Sequence, residues 1–258
     1  MRVFDFTRAI VREPAPGAVK GLRAFEGPDP DFAGLFAQHV AYVAALRAAG
    51  LEVEVLAPLE DFPDSMFVED PALVFPEGAI LLAPGAPSRR AEREHMRPVL
   101  ARHFAQLIAL DPEAATDGSD VLVTPDAVFI GLSGRTSRAG AEALAAALRA
   151  LGRKPRIVET PPGILHFKTA SSLVDEETVL ATPALAASGV FAGLRVLVTP
   201  AGEEAAANAL RINDRLFAGA EYPRTADMLA RHGLNVTPLG VSEVARLDAG
   251  LSCMSLRW

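Results

Sequence analysis

Apolar positions recur along this chain at two periods, one helical and one alternating, which exchange places from end to end. Between 31 and 49, Phe32, Leu35, Phe36, Val40, Val43 and Leu46 keep a helical spacing, with Asp29 or Asp31 as cap and Gly50 as stop. Leu51–Leu56 then alternates as a half-buried strand. The pattern predicts a helix over 88–104, an apolar strand at 107–110, and a hairpin of 121–123 with 128–132 around Pro125-Asp126. An alanine-rich helix over 137–151 stops at Gly152. Strands follow near 156–159, 164–173 and 178–182, then a short helix at 183–188 and strands at 194–199, 207–212 and 215–219. A helix at 223–232, a strand at 235–239, a short helix at 241–247 and a final strand at 251–257 complete the pattern. Short strands, often paired between helices, make an α/β protein but not a strict βαβ alternation.

Composition narrows the class. The 258 residues lie near the upper limit of one continuous core, and no Gly/Ser linker or charge block marks a boundary, so 1–258 is expected to be one domain. Half the residues are hydrophobic and 22% are charged, which suits a folded globular chain. A net charge of −7 offers no basic footprint for nucleic acid or for an anionic membrane. Asp5, Arg8 and Arg12 break the apolar run of the first residues, so these do not read as a signal peptide. With one cysteine and no apolar stretch of about 18 residues, a cytoplasmic protein acting on a small molecule is expected. A homodimer is left open.

The candidate chemistry begins with that cysteine, Cys253, in Gly250-Leu-Ser-Cys-Met-Ser-Leu-Arg-Trp258. A lone thiol forms no intramolecular disulfide and makes a poor metal site, which leaves a small buried apolar residue or a nucleophile. His166, opening the apolar segment Leu165-His-Phe-Lys168, is the best candidate base; His39, His95, His103 and His232 fall on predicted helices where packing or solvent explains them. Phe62-Pro-Asp-Ser-Met-Phe-Val-Glu-Asp-Pro71 sets Asp64, Glu69 and Asp70 among apolar residues. They are turn residues, or a cage for a guanidinium, which two carboxylates satisfy with paired hydrogen bonds. Thr116-Asp-Gly-Ser-Asp120 repeats the theme at a bend. Arg89 and Arg135 precede predicted helices, where a carboxylate ligand would be favoured, although a solvated surface explains any single arginine equally.

Taken in order, FPDSMFVEDP, PGAPSRR, DGSDVL, GLSGRTSRAGAE, LHFKT, EYPRT and LDAGLSCMSLRW resemble the dimethylarginine dimethylaminohydrolases, which share a guanidine-modifying superfamily with arginine deiminases and amidinotransferases. The resemblance runs from about residue 62 to the C-terminus; VKGL at 19–22 is similar to that family's lid loop. It implies a five-bladed, pseudo-symmetric α/β propeller of ββαβ modules, about 52 residues each. It further implies Cys253 as nucleophile, His166 as general acid/base and Asp117 as third catalytic carboxylate. Asp64, Glu69 and Asp70 would grip the guanidinium, Arg89 and Arg135 the α-carboxylate, and the Leu22 carbonyl the α-amino group. No metal or organic cofactor is implied.

Arginine deiminases and amidinotransferases carry an Asp two residues after this His, where it grips the far guanidinium nitrogen. Here Lys168 stands in that place, which leaves room for a methylated nitrogen with fewer N–H groups to satisfy. The expected reaction is hydrolysis of asymmetric dimethylarginine or monomethylarginine to citrulline and the methylamine, through a thiouronium on Cys253. An arginine deiminase-like activity and a non-catalytic binding protein of the same fold are the alternatives.

Overall fold

The computed structural model describes residues 3–24 and 27–258. Among these residues fifteen strands form five three-stranded sheets, and every sheet is built alike: a middle strand antiparallel to one neighbour and parallel to the other. The second sheet shows the pattern. Ala72–Phe75 (β3) forms a hairpin with Gly78–Leu81 (β4), Leu73 opposite Ile80; helix Glu92–His103 (α2) crosses over, and Leu107–Ala109 (β5) returns parallel to β4. Val121–Val123 (β6), Val128–Leu132 (β7), helix Arg138–Ala150 (α3) and Pro155–Glu159 (β8) repeat it. So do Ser171–Leu173 (β9), Thr178–Ala181 (β10), helix Pro183–Ala187 (α4) and Arg195–Val198 (β11). Leu210–Ile212 (β12), Arg215–Gly219 (β13), helix Pro223–Arg231 (α5) and Val236–Leu239 (β14) form the next. The remaining sheet draws on both chain ends: Leu256–Arg257 (β15) runs antiparallel to Arg8–Arg12 (β1), and after helix Phe32–Ala48 (α1), Glu52–Leu56 (β2) lies parallel to β1. A short helix, Ser242–Ala245 (α6), leads back towards β15.

The core explains why the modules close into a ring. Successive side chains of a strand face opposite sides of its sheet, and here each side of a middle strand belongs to a different inter-module core. In β10, Val179 and Ala181 pack with Phe129 of β7, whereas Leu180 packs with Leu216 and Ala218 of β13. Ile80 of β4 joins Val128 and Ile130 of β7. Ile10 of β1 joins Ala79 and Leu81 of β4, and Phe217 of β13 joins Ala9 and Val11 of β1. Five such cores link five modules head to tail, giving the five-bladed α/β propeller.

The same double burial accounts for the segments that periodicity misplaced. β1, β3 and β4 were not predicted; β4 is buried at every position, so it lacks the alternation that marks a half-exposed strand. The expected strand at 164–173 is a loop and a single 3-10 turn at Lys168–Ala170 before β9, and that at 251–257 is a 3-10 turn at Leu251–Met254 before β15. The expected strand at 207–212 is likewise shortened by a turn at Glu204–Ala207. In these stretches apolar side chains turn inward from tight bends, so hydrophobicity carries no strand signal. The helix expected from 88 begins at Glu92, after a 3-10 turn at Pro87–Arg89. No helix among the described residues is long and apolar enough to cross a membrane.

Candidate active site

The bends before each hairpin meet in one place. A pocket of about 30 Å³ is lined by Cys253, His166, Asp117, Asp70, Asp64, Arg89, Arg135 and Leu22, with Phe67, Ser119, Leu165, Thr169, Leu247, Asp248 and Ala249. Eight of the nine residues expected at a site, drawn from across the whole sequence, are therefore brought together; Glu69 is not among them. Close packing makes this possible. At Gly118 an added Cβ would lie 2.0 Å from the Glu69 carbonyl oxygen, so the bend carrying Asp117 rests directly on the one carrying Asp70.

His166 lies on the loop before β9, and its Nε2 is 2.9 Å from Asp117 Oδ2. Asp117 Oδ1 accepts from the Gly85 N–H at 2.7 Å, which fixes the carboxylate. Asp120, one turn on, is pushed up to about 6 by burial; it accepts from the Phe167 N–H and from the Ser133 and Thr136 hydroxyls, pinning the loop beside the imidazole. Burial would lower the pKa of His166, but the hydrogen bond it donates to Asp117 and the charges of Asp70, Asp120 and Asp117 raise it to about 9. The resting residue is an imidazolium.

Cys253 is 4% exposed. Burial pushes its thiol up, and the charges of Glu69 and Asp70 push the same way. Ser119 Oγ lies 3.9 Å from Sγ and Asn208 Nδ2 3.6 Å. The site thus rests with a neutral thiol and a charged imidazole in one pocket, not as a thiolate–imidazolium pair.

Two groups of charge divide the pocket. Asp70, Asp117 and His166 each bring an atom within 4.8 Å of the others, a spacing that would also suit a metal ion. Asp70 accepts from Arg89 and the Ser119 N–H and Asp117 from Gly85, leaving carboxylate lone pairs open to further N–H donors, while an imidazolium has no lone pair to offer a metal. In the other group Asp64 Oδ1 accepts from the Leu22 N–H at 2.9 Å, and the cations of Arg89 and Arg135 act on its carboxyl, whose pKa burial raises. The segment carrying Leu22 is held a second time, by the Ala24 N–H donating to Asp248 Oδ2.

The arginines differ in kind. Arg89 is buried, paired with Asp70 and Glu92, and donates to the carbonyls of Asp64 and Phe67. Arg135, half-buried, makes no side-chain hydrogen bond or ion pair among the described residues, so its guanidinium faces the pocket uncommitted.

The arginine deiminase family model matches residues 38–211. An N(G),N(G)-dimethylarginine dimethylaminohydrolase of Pseudomonas aeruginosa is 34% identical over 254 residues, 98% of this chain and 100% of that protein. The chain belongs to the dimethylarginine dimethylaminohydrolase family. A protein of the same name from Streptomyces coelicolor is 35% identical over 97% of this chain and 96% of its own. Among solved structures, a mutant of the Pseudomonas aeruginosa enzyme complexed with citrulline superposes with a TM-score of 0.95 at 34% identity, covering 99% of this chain and 100% of that one. A dimethylarginine dimethylaminohydrolase variant described as an adduct with S-methyl-L-thiocitrulline gives 0.94 at 34% identity, covering 98% and 100%.

Glu69 stands apart from the other eight residues that the family resemblance implied. Its carboxylate does not line the pocket but accepts from Lys168, Arg257 and Ser252, and it borders a separate cavity of about 360 Å³. A buried carboxylate goes to its nearest cations, and two of them lie on the far side. Lys168 turns the same way and does not line the pocket, so no side chain from the second position after His166 reaches the ligand space; Thr169 borders it instead. Sequence reading also missed Ser119, Asp248 and Asn208. Asn208 stands just before the first strand of its module, as Asp117 and Cys253 do, but the strand expected over 207–212 hid that position.

Proposed function

We propose that this chain is one catalytic domain that hydrolyses an Nω-methylated arginine, asymmetric dimethylarginine or monomethylarginine, to citrulline and the methylamine. The observation that carries the reading is the sharing of one buried pocket by a thiol, an imidazolium and two carboxylates, with an uncommitted arginine at its other group. The citrulline complex and the S-methyl-L-thiocitrulline adduct of relatives support it, since both ligands are arginine analogues altered at the guanidine carbon.

Asp70 and Asp117 hold the guanidinium with its carbon beside Sγ; positioning of this kind supplies about 7–11 kcal/mol of a barrier. Arg135, with Arg89 behind it, takes the α-carboxylate. Asp64 joins Leu22 at the α-amino group rather than the guanidinium acids, a revision that follows from their hydrogen bond. The bound cation offsets the carboxylates that keep the thiol neutral, so the nucleophile ionises when substrate is present, releasing its proton to solvent because the imidazole is already charged. Sulfur then bonds to the guanidine carbon, and His166, already protonated, gives its proton to the departing methylamine as the C–N bond breaks. The neutral imidazole next takes a proton from water; hydroxide attacks the thiouronium, the C–S bond breaks as the new hydroxyl group gives its proton back to the departing sulfur, and citrulline leaves with the thiol and imidazolium restored. A reducing compartment, the cytoplasm, suits a chain whose one cysteine works as a free thiol.

The test is a ureido-product assay across arginine, its methylated forms and agmatine, with Cys253→Ser as blank. Methylated arginine should give citrulline and the blank none. Citrulline from arginine alone would replace the reading with a deiminase.

A further inference from the structure

Four of the five modules place a polar group of the pocket just ahead of the module's first strand: Asp70 before β3, Asp117 before β6, His166 before β9 and Cys253 before β15. The residue at that point of the fifth module, before β12, is Asn208, to which the mechanism above gives nothing to do. It is buried, and both ends of its amide are directed at the nucleophile's bend. Oδ1 accepts from the Ser252 N–H at 3.0 Å, while Nδ2 donates to Cys253 Sγ at 3.6 Å. Gly250 makes the approach possible, because a Cβ there would lie 2.4 Å from Asn208 Cγ.

We propose that Asn208 is the hydrogen-bond donor that orients Cys253 Sγ and stabilises the thiolate as it forms. The proposal rests on Cys253 being the nucleophile of the reaction above. The charges facing this sulfur do not supply that stabilisation. Glu69 and Asp70, from the bend before β3, oppose an anion, and Lys168, from the bend before β9, is already paired with Glu69. Asp117 and His166, elsewhere in the pocket, are bonded to each other. The backbone at Gly250 also favours the anion, but as part of the nucleophile's own bend, and Ser119 Oγ is farther away at 3.9 Å. A neutral amide also answers a conflict built into the chemistry: a lysine or arginine here would favour the thiolate more strongly, but would repel a guanidinium ligand arriving beside it. An N–H dipole helps the sulfur and leaves the pocket's acidic balance unchanged.

The chain's single cysteine makes the test specific, because alkylation by iodoacetamide then reports Cys253 alone. The reagent is neutral, so unlike an amidine it does not itself perturb the thiol. In Asn208→Ala the apparent pKa of alkylation should rise by about one unit. kcat should fall about tenfold with KM within about twofold, the split expected when an interaction serves the reacting state rather than ligand binding. Asn208→Asp keeps the shape and the acceptor for the Ser252 N–H but loses the donor; it should fold as the parent does and raise the alkylation pKa further. If Asn208→Ala does not fold, Asn208→Asp alone carries the test. A parent-like alkylation pKa and kcat in either folded variant overturns the proposal. The alkylation readout needs no turnover, so an error in the substrate assignment would show in the product assay while leaving this result intact.

Discussion

Replacing Asp117 by Asn tests the charge state on which the proposed proton transfers depend. The carboxylate acts on His166 twice, through the 2.9 Å hydrogen bond and through its charge, while Asp70 and Asp120 act through charge alone. Asn is nearly isosteric, so the ring keeps a polar neighbour but loses one of three anions. Burial, which lowers the imidazole pKa, is unchanged. The value should therefore fall from about 9 by about 1–2 units. The high-pH limb of kcat, which reports loss of the proton destined for the leaving amine, should move to lower pH by the same amount. Stability follows with a defined sign. A rise from 6.5 to about 9 corresponds to about 3 kcal/mol, fully present below pH 6.5 and lost as pH climbs through the folded-state value. The variant should be less stable below pH 6.5 and should lose its remaining contribution earlier. Urea unfolding from pH 6 to 9.5, with NMR titration of the imidazole protons and His166→Ala to assign the signal, measures both. A His166 titration and kcat limb in Asp117→Asn indistinguishable from the parent would refute the reasoning.

Cys253→Ser should abolish turnover with an unfolding midpoint near the parent's, whereas His166→Ala should abolish turnover and also lose the pH-dependent stability that the charged imidazole contributes, checked by citrulline assay and urea melts. Arg135→Ala should raise KM for the methylated amino acid with little change in stability, since its side chain holds nothing else, and initial-rate kinetics would show this. Arg89→Ala should behave differently: it strands the buried Asp70 and Glu92 carboxylates and should cost about 3–5 kcal/mol, read by chemical denaturation. Gly118→Ala must push the bend carrying Asp117 off the Glu69 carbonyl, so stability and kcat should fall together, by about 1–3 kcal/mol in the former.

The elements most legible in the sequence were those whose burial is one-sided. Helix α1 was anticipated to within a residue, with Asp31 capping it through the Gly34 N–H, and the β6–β7 hairpin was found with its turn. What escaped was buried on both faces, such as β4, or tightly bent, such as the turns carrying Lys168 and Cys253. The site was legible as a set of residue types but not as directions. Nothing in Val68-Glu69-Asp70 tells which of two adjacent acids turns to the pocket. The choice falls on Asp70 because Lys168 and Arg257 wait on the other side for Glu69, and that arrangement exists only after β15 and the bend before β9 have met. Arg89 shows the same limit: at the start of a helix the sequence leaves a solvated and a ligand-binding arginine both open, and only the fold shows Asp70 and Glu92 enclosing it.

The ring architecture explains why the chemistry is scattered through the sequence and why its electrostatics are finely opposed. Each module presents a short bend to the common axis, so no single segment holds two of Asp70, Asp117, His166 and Cys253. Charges that would repel one another along a strand are fixed instead by five independent sheets. That frame holds a protonated imidazole against carboxylates and an unionised thiol against more of them, a resting state that favours a cation and suppresses the nucleophile. A guanidinium entering such a pocket supplies the missing positive charge at the sulfur. On this account an uncharged analogue of the same shape, such as a urea, should bind without lowering the thiol pKa, and iodoacetamide titration in its presence should match that of the empty enzyme.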